Sequence, residues 1–209
     1  MNLHRVQIQV LKALNPLGLI SVRHWLVWNR LTSWVAPVVA VRAYSITADV
    51  DNPANGANGV IIAQGGRYDG FTLFVKDNRV VYEINSFGSR SGQIAGSEPL
   101  SAGRAHIVVD LVPDRGTMSS NSQAATYCNI CLIHPGSSNE PFPGNGSLQI
   151  NGKPEGTGRF ANVNANDTDT LDVNETLNIG SDLGSAVSPD YESPNRFTGR
   201  IEAVTIQLK

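Results

Sequence analysis

The segment Phe197-Thr-Gly-Arg-Ile-Glu-Ala-Val-Thr-Ile-Gln-Leu208 reads as a strand that closes a β-sandwich. It follows a stretch from Asp169 through Asp172-Val-Asn-Glu-Thr-Leu-Asn-Ile-Gly-Ser-Asp182 in which polar and turn-forming residues bracket a short apolar run. A β-strand places alternate side chains on opposite faces, so apolar–polar alternation is the mark of a strand with one buried face. Neither stretch carries an evident reacting group.

The same period runs back through the chain. Tyr44, Ile46, Ala48 and Val50 alternate with Ser45, Thr47 and Asp49. Val60-Ile-Ile-Ala63 is a short apolar run stopped by Gly65-Gly66, and Asp51-Asn-Pro-Ala-Asn-Gly56 has loop composition. Phe71–Val75 and Val80–Ile84 flank Lys76-Asp-Asn-Arg79. Asp and Asn tolerate positive φ, so Asp77-Asn78 predicts a tight hairpin. His106–Val112, Ser147–Ile150 before an Asn151-Gly152 turn, Thr170–Val173 and Leu177–Ile179 complete the expected strands. No sustained helical period follows residue 44. Short strands between Gly, Asn and Pro turns predict an all-β chain, an antiparallel two-sheet sandwich or jelly roll. The ends of such modules often lie close together, so Tyr44–Val50 and Ile201–Leu208 are expected side by side.

A chain of 209 residues buries one good-sized core. Its 20 glycines and 11 prolines suit many turns, and a net charge of −2 gives no electrostatic footprint for nucleic acid. The charge is uneven. Residues 1–48 hold Arg5, Lys12, Arg23, Arg30 and Arg42 with no acid, and all three tryptophans, Trp25, Trp28 and Trp34. The rest carries eleven basic and eighteen acidic residues, a net of −7. This break divides the chain into a basic, Trp-bearing, non-sandwich segment at 1–43 and a sandwich domain at 44–209, with a loop insertion at about 115–146. The N-terminal segment is expected to be a tail that packs on a partner or is poorly ordered, and lying on a membrane surface is the lesser reading. No apolar run reaches the ~18 residues of a membrane span, and the N-terminus lacks the three-part pattern of a signal peptide. The two cysteines make no disulfide framework and leave the compartment undecided.

Several of these stretches carry a resemblance. Tyr44-Ser-Ile-Thr-Ala-Asp-Val50, Ala63-Gln-Gly-Gly-Arg-Tyr-Asp-Gly-Phe-Thr-Leu-Phe-Val-Lys-Asp-Asn-Arg-Val-Val-Tyr82, Glu98-Pro-Leu-Ser-Ala-Gly103, Asp172–Asp182, Pro189-Asp-Tyr191 and Phe197–Ile206 occur in the order of motifs in the C-terminal β-sandwich domain of bacterial arylsulfatases. The chain resembles that domain over 44–114 and 147–209. The resemblance implies a concanavalin A/laminin-G-like fold and a noncatalytic accessory role, docking on a sulfatase-type catalytic domain or on a second subunit. In the family, the catalytic domain matures a Cys or Ser in Cys/Ser-x-Pro-x-Arg to formylglycine and uses a divalent metal. Here Ser97-Glu-Pro-Leu-Ser101 has Ser101 in the Arg position, and the Asp-Asp-Asn metal set is missing. No catalytic residue is assigned, and the chain is not expected to be an enzyme on its own. The alternative is a lectin-like carbohydrate-binding module.

Candidate sites follow from residue chemistry. Gly65-Gly66-Arg67-Tyr68-Asp69 is a loop where Arg67 can pair with a carboxylate or sulfate and Tyr68 can stack on a sugar or pack at an interface. The same residues also suit a tight turn with a salt-bridged arginine. Tyr68, Tyr82, Phe87 and Tyr191 are candidate sugar platforms. Asp167, Asp169 and Asp172, with Glu175, offer the hard oxygen ligands calcium takes, though not at EF-hand spacing, and otherwise form a solvated loop. The sequence requires no cofactor, and calcium is the one that this cluster admits. Cys128-Asn-Ile-Cys131 with His134 is three ligands where structural zinc takes four. The strand-borne acids Asp49, Glu83, Asp110 and Glu202 stand apart in sequence, which disfavours the paired carboxylates of glycoside hydrolysis.

Overall fold

The computed structural model describes residues 6–12, 20–26, 30–32, 36, 39, 43–114, 142–163 and 176–209, with only the backbone for 6–12, 20–26 and 31–32. The described strands are β1 (Val6–Lys12), β2 (Ile20–Leu26), β3 (Arg30–Thr32), β4 (Tyr44–Asn52), β5 (Gly59–Gly65), β6 (Gly70–Lys76), β7 (Arg79–Ser86), β8 (Ser89–Ala95), β9 (Gly103–Pro113), β10 (Gly144–Ile150), β11 (Lys153–Phe160), β12 (Thr176–Ile179) and β13 (Arg200–Leu208). They form a seven-stranded sheet in the order β11-β10-β9-β4-β13-β1-β2 and a six-stranded sheet in the order β3-β12-β5-β6-β7-β8. All pairings are antiparallel except β1 with β13. No helix occurs among the described residues.

The closing strand does what its alternation predicts, with one adjustment. β13 pairs with β4 along its length, and the register slips between Ile201 and Ala203. In an unbroken strand Ile201 and Val204 face opposite ways. The extra residue of the bulge resets the phase, so that Ile201, Val204, Ile206 and Leu208 are all buried. The Asp77-Asn78 hairpin also forms, with φ of 50° and 60° at its two central residues, the mirror-image turn that suits strand twist.

Two parts of the sequence reading are corrected. The segment 1–43 was expected outside the sandwich, yet β1 and β2 extend the seven-stranded sheet beyond β13, and β3 pairs with β12 in the other sheet. Composition marks a boundary there, but backbone hydrogen bonding is indifferent to charge and crosses it. Two strands, β8 and β11, lacked an alternating apolar signal. Several of their inward positions, beside the buried Ile94 and Phe160, are glycines that let the two sheets meet: a Cβ on Gly92 would lie 2.5 Å from the Arg159 carbonyl oxygen, and one on Gly158 2.7 Å from that of Gln93. Most of the loop expected at 115–146 lies outside the described residues, and β10 begins within its span, at Gly144.

The main core fills the space between the sheets. Tyr44, Phe71, Leu73, Tyr82 and Phe160 are fully buried in it. Phe71 lies between the two tyrosine rings, at 6.2 Å from Tyr44 and 6.3 Å from Tyr82. The Tyr44 and Tyr82 hydroxyls hydrogen-bond to each other, so the polar tips of two core rings are satisfied internally. A second, smaller core lies on the outer face of the six-stranded sheet. There the segment between β12 and β13 crosses Val60, Ala63, Phe74 and Val81, and contributes Val187 and Tyr191. We call residues 180–199 the strap. Its backbone is tied down by Val60 N donating to Asn195 O (2.9 Å), Gly180 N to Ile61 O (2.9 Å) and Thr198 N to Asn58 O (2.8 Å).

Candidate functional site

The register of β5, β6 and β7 brings two connections together at one end of the six-stranded sheet. The β5–β6 loop, Gly66–Asp69, is folded tightly: Gly66 N donates to Asp69 O at 2.8 Å, and Gly65 has φ 89° with no room for a Cβ, which would stand 2.1 Å from that carbonyl. The β7–β8 connection is a two-residue turn, Phe87-Gly88, with φ of 53° and 72°. The loops are joined by Gly88 N donating to Tyr68 O at 2.7 Å and Phe87 N donating to Asp69 Oδ1 at 3.2 Å.

The strap and sheet hold this rim from behind. Asn85 Nδ2 donates to Arg67 O at 2.6 Å and to Val187 O at 3.0 Å, and Arg67 N donates to Ser185 Oγ at 3.0 Å. Arg67 is therefore fixed at both backbone groups while its side chain projects, its Cζ 5.3 Å from the centre of the Tyr68 ring. Tyr68 is 51% and Phe87 61% exposed, two of the three large apolar side chains most open to water among the described residues. Phe87 is notable on backbone grounds too. Bulky side chains rarely take positive φ, and holding one there costs on the order of 1–3 kcal/mol. An exposed ring gains nothing from packing to offset that cost.

Of the residues singled out in sequence, Arg67, Tyr68 and Asp69 thus share one rim with Phe87. Asp69 is buried and accepts from the Phe87 amide, so its role is to shape the rim. Tyr82 and Tyr191 are corrected as sugar platforms. Tyr82 lies wholly in the main core, and Tyr191 packs edge-on against Phe74 at 5.1 Å while its hydroxyl donates to Asp182 Oδ2 at 2.6 Å. Burial, reinforced by the Asp182 charge, raises the Tyr191 pKa. Asn85 and Ser185, which position Arg67, were not singled out. Asn85 carries one signal, a polar residue directly after the run Val80–Ile84, in which Glu83 is the one polar member apart from the Tyr82 hydroxyl. The calcium candidates Asp167, Asp169, Asp172 and Glu175, and the Cys128, Cys131 and His134 group, lie outside the described residues. Among the described residues no three His, Cys, Asp or Glu side chains converge to hold a metal ion.

Farther along the same outer face is a polar cluster. Glu83 stood alone in sequence, but the strap brings Asp190 to it. Arg90 bridges them, Nε at 3.0 Å from Glu83 Oε2 and a terminal nitrogen at 2.7 Å from Asp190 Oδ2. Gln93 Nε2 donates to both carboxylates, at 2.9 and 3.1 Å, Ser188 donates to Glu83 at 2.9 Å, and Lys76 pairs with Asp190 at 3.3 Å. Every bond to Glu83 falls on Oε2, and buried Oε1 has no hydrogen-bond partner among the described residues. Burial raises the Glu83 pKa against the pull of Arg90, Ser188 and Gln93. Burial also opposes ionisation of Asp190, but there the hydrogen bonds from Gln93 and Lys76 and the Arg90 charge prevail, and its pKa is lowered. Glu83 is enclosed, and Asp190 is held by Lys76, Arg90 and Gln93. Beside this cluster a groove of about 370 Å³ is lined by Lys76, Asp190, Tyr191, Phe74, Asn58 and Glu192, among others.

No protein-family model matches the sequence. Comparison with curated protein sequences also yields no match. Among solved structures, the chain is similar to domains LG4-5 of the mouse laminin α1 chain, with a TM-score of 0.51 and 12% identity over 92% of this chain and 44% of that one. It thus spans less than half the length of that protein. Weaker likenesses are to sheep galectin-11, at TM-score 0.38 and 11% identity over 85% of this chain and 93% of that one, and to the Ruminococcus gnavus IT-sialidase CBM40, at 0.45 and 13% over 86% and 84%. At such identity the likeness shows the fold alone: an antiparallel two-sheet sandwich of the concanavalin A/laminin-G kind.

Proposed function

We propose that this chain is a lectin-like carbohydrate-binding module that holds its ligand at the Arg67–Tyr68–Phe87 rim. The observation that carries the reading is the joining of two exposed aromatic rings on backbone-linked loops, one of them at strained φ, beside a projecting arginine. Sugar rings present apolar C–H faces that lie on aromatic side chains, with hydroxyls reaching nearby polar groups. The sandwich supplies a rigid sheet end behind the rim, which limits the ordering cost of binding. The test is a glycan array with purified protein and Tyr68→Ala. Binding to a glycan that is lost in the variant, with the thermal transition unchanged, supports the module. An absence of binding to every neutral and acidic glycan printed sinks it.

The accessory reading rests on a different observation, the ordered series of arylsulfatase-like motifs from Tyr44 to Ile206. Under it the same rim docks on a sulfatase-type catalytic domain. Co-elution of the two, abolished by Tyr68→Ala, would favour it over the glycan.

A further inference from the structure

We infer that the rim selects anionic sugars, with the Arg67 guanidinium taking the carboxylate or sulfate of a ring that lies on Tyr68 and Phe87. The inference rests on the carbohydrate-binding reading above and gives it a ligand class.

Charge commitment is the first observation. Lys76, Arg90, Arg159, Arg200 and Lys209 are each paired with a carboxylate. Arg67, like Arg30, Arg79, Lys153 and Arg196, has no ion-pair partner among the described residues, and of these it is the one carried on the β5–β6 rim loop. The neighbouring acid, Asp69, is buried and turned onto the Phe87 amide. Arg90, across the β7–β8 ladder from Asn85, is spent on Glu83 and Asp190. The exposed charge of the rim is therefore positive.

Placement is the second. The two backbone bonds of Arg67 fix where the side chain starts, and the Tyr68 ring lies under the guanidinium. A planar guanidinium supplies parallel N–H donors that match the two oxygens of a carboxylate or sulfate, and pre-positioning reduces the entropy lost on pairing. A neutral sugar would use the rings and leave the cation in water.

Both anions share this chemistry, so the experiment separates them. Matched trios of disaccharides on glucose, galactose and N-acetylhexosamine skeletons, each neutral, uronate-bearing or singly sulfated, are titrated against wild type, Arg67→Gln, Arg67→Lys and Tyr68→Ala. The expected result is an anionic member bound at least about tenfold tighter than its neutral partner, the worth of one charge-assisted pair. That preference disappears in Arg67→Gln, falls partway in Arg67→Lys, and weakens as salt rises. The member that responds, uronate or sulfate, identifies the source of the charge. Equal binding of neutral and anionic members that survives Arg67→Gln and is lost in Tyr68→Ala overturns this inference and leaves the carbohydrate reading standing. No binding of any member overturns both. Circular dichroism of each variant separates lost binding from lost fold.

Discussion

The six-stranded sheet is covered on both faces, and the two covers are built differently. Its inner face meets the other sheet through interlocking rings and branched aliphatics, with the Tyr44–Tyr82 hydroxyl pair as a polar contact among them. Its outer face meets the strap through a few apolar side chains and a mesh of charges, Glu83, Arg90, Asp190 and Lys76, with Gln93 and Ser188 between them. Apolar burial depends little on pH, whereas an ionic mesh depends on the protonation of each member. The inner layer thus sets global stability, and the outer layer sets whether the strap, and the rim that Ser185 and Val187 support, stay in place.

The largest expected effect lies in the inner layer. Phe71→Ala removes a fully buried ring that touches both core tyrosines and should cost about 4 kcal/mol in urea unfolding. Val187→Ala, the matching truncation under the strap, should cost about 2 kcal/mol at most. It should accelerate amide exchange in the strap before β6 responds. Equal losses, with exchange rising uniformly, would show the two layers to be one cooperative unit.

Arg90→Met comes next, because it strands a buried carboxylate. The expected loss is about 3 kcal/mol at neutral pH, and adding Glu83→Gln should recover much of it. The pH dependence gives the sign. The folded pKa of Glu83 is raised, so its contribution is most favourable below its unfolded value of 4.5 and is lost as pH rises through the folded value. Asp190 is lowered, so its contribution is present above 3.8 and is lost as pH falls through its folded value. On acidification Glu83 therefore takes its proton first, and the Asp190 pairing fails later. Glu83→Gln should remove the first of these components from a stability–pH curve and leave the second. A curve unchanged by Glu83→Gln would mean that Arg90 compensates the buried charge completely.

The same contrast marks what could be read from sequence. β4 and β13 announce themselves by apolar–polar alternation, and β6 and β7, buried on both faces, by largely apolar runs on either side of the Asp77-Asn78 turn. β8 and β11 do not, because glycines hold several of their inward positions and leave Ile94 and Phe160 as isolated apolar side chains there. β1 and β2 were hidden by a composition break that has no bearing on pairing. At the rim, Arg67, Tyr68 and Phe87 could each be named in sequence. Their assembly could not, since it depends on the register that sets Gly88 against Tyr68 and on the strap, whose Ser185 is remote in the chain. The Glu83–Asp190 cluster was missed for the same reason: isolation along a chain says nothing about what a returning loop delivers.

The smallest expected effect tests whether the inner layer is apolar in its energetics as well as its composition. Burial raises the pKa of both Tyr44 and Tyr82, so both hydroxyls stay protonated and the contact is a neutral hydrogen bond. Tyr82→Phe alone leaves the Tyr44 hydroxyl buried without that partner, at about 1–2 kcal/mol. Tyr44→Phe should cost a similar amount. The double variant should return to within about 0.5 kcal/mol of wild type, since two matched apolar rings replace a satisfied polar pair at nearly constant volume. A thermodynamic cycle from urea unfolding reads the coupling directly. The pair at the outer face should behave likewise in sign but on a larger scale, because there the stranded group is a charge. If the two single tyrosine losses add in the double variant, the hydroxyl contact contributes nothing of its own, and the inner layer is held by ring packing alone.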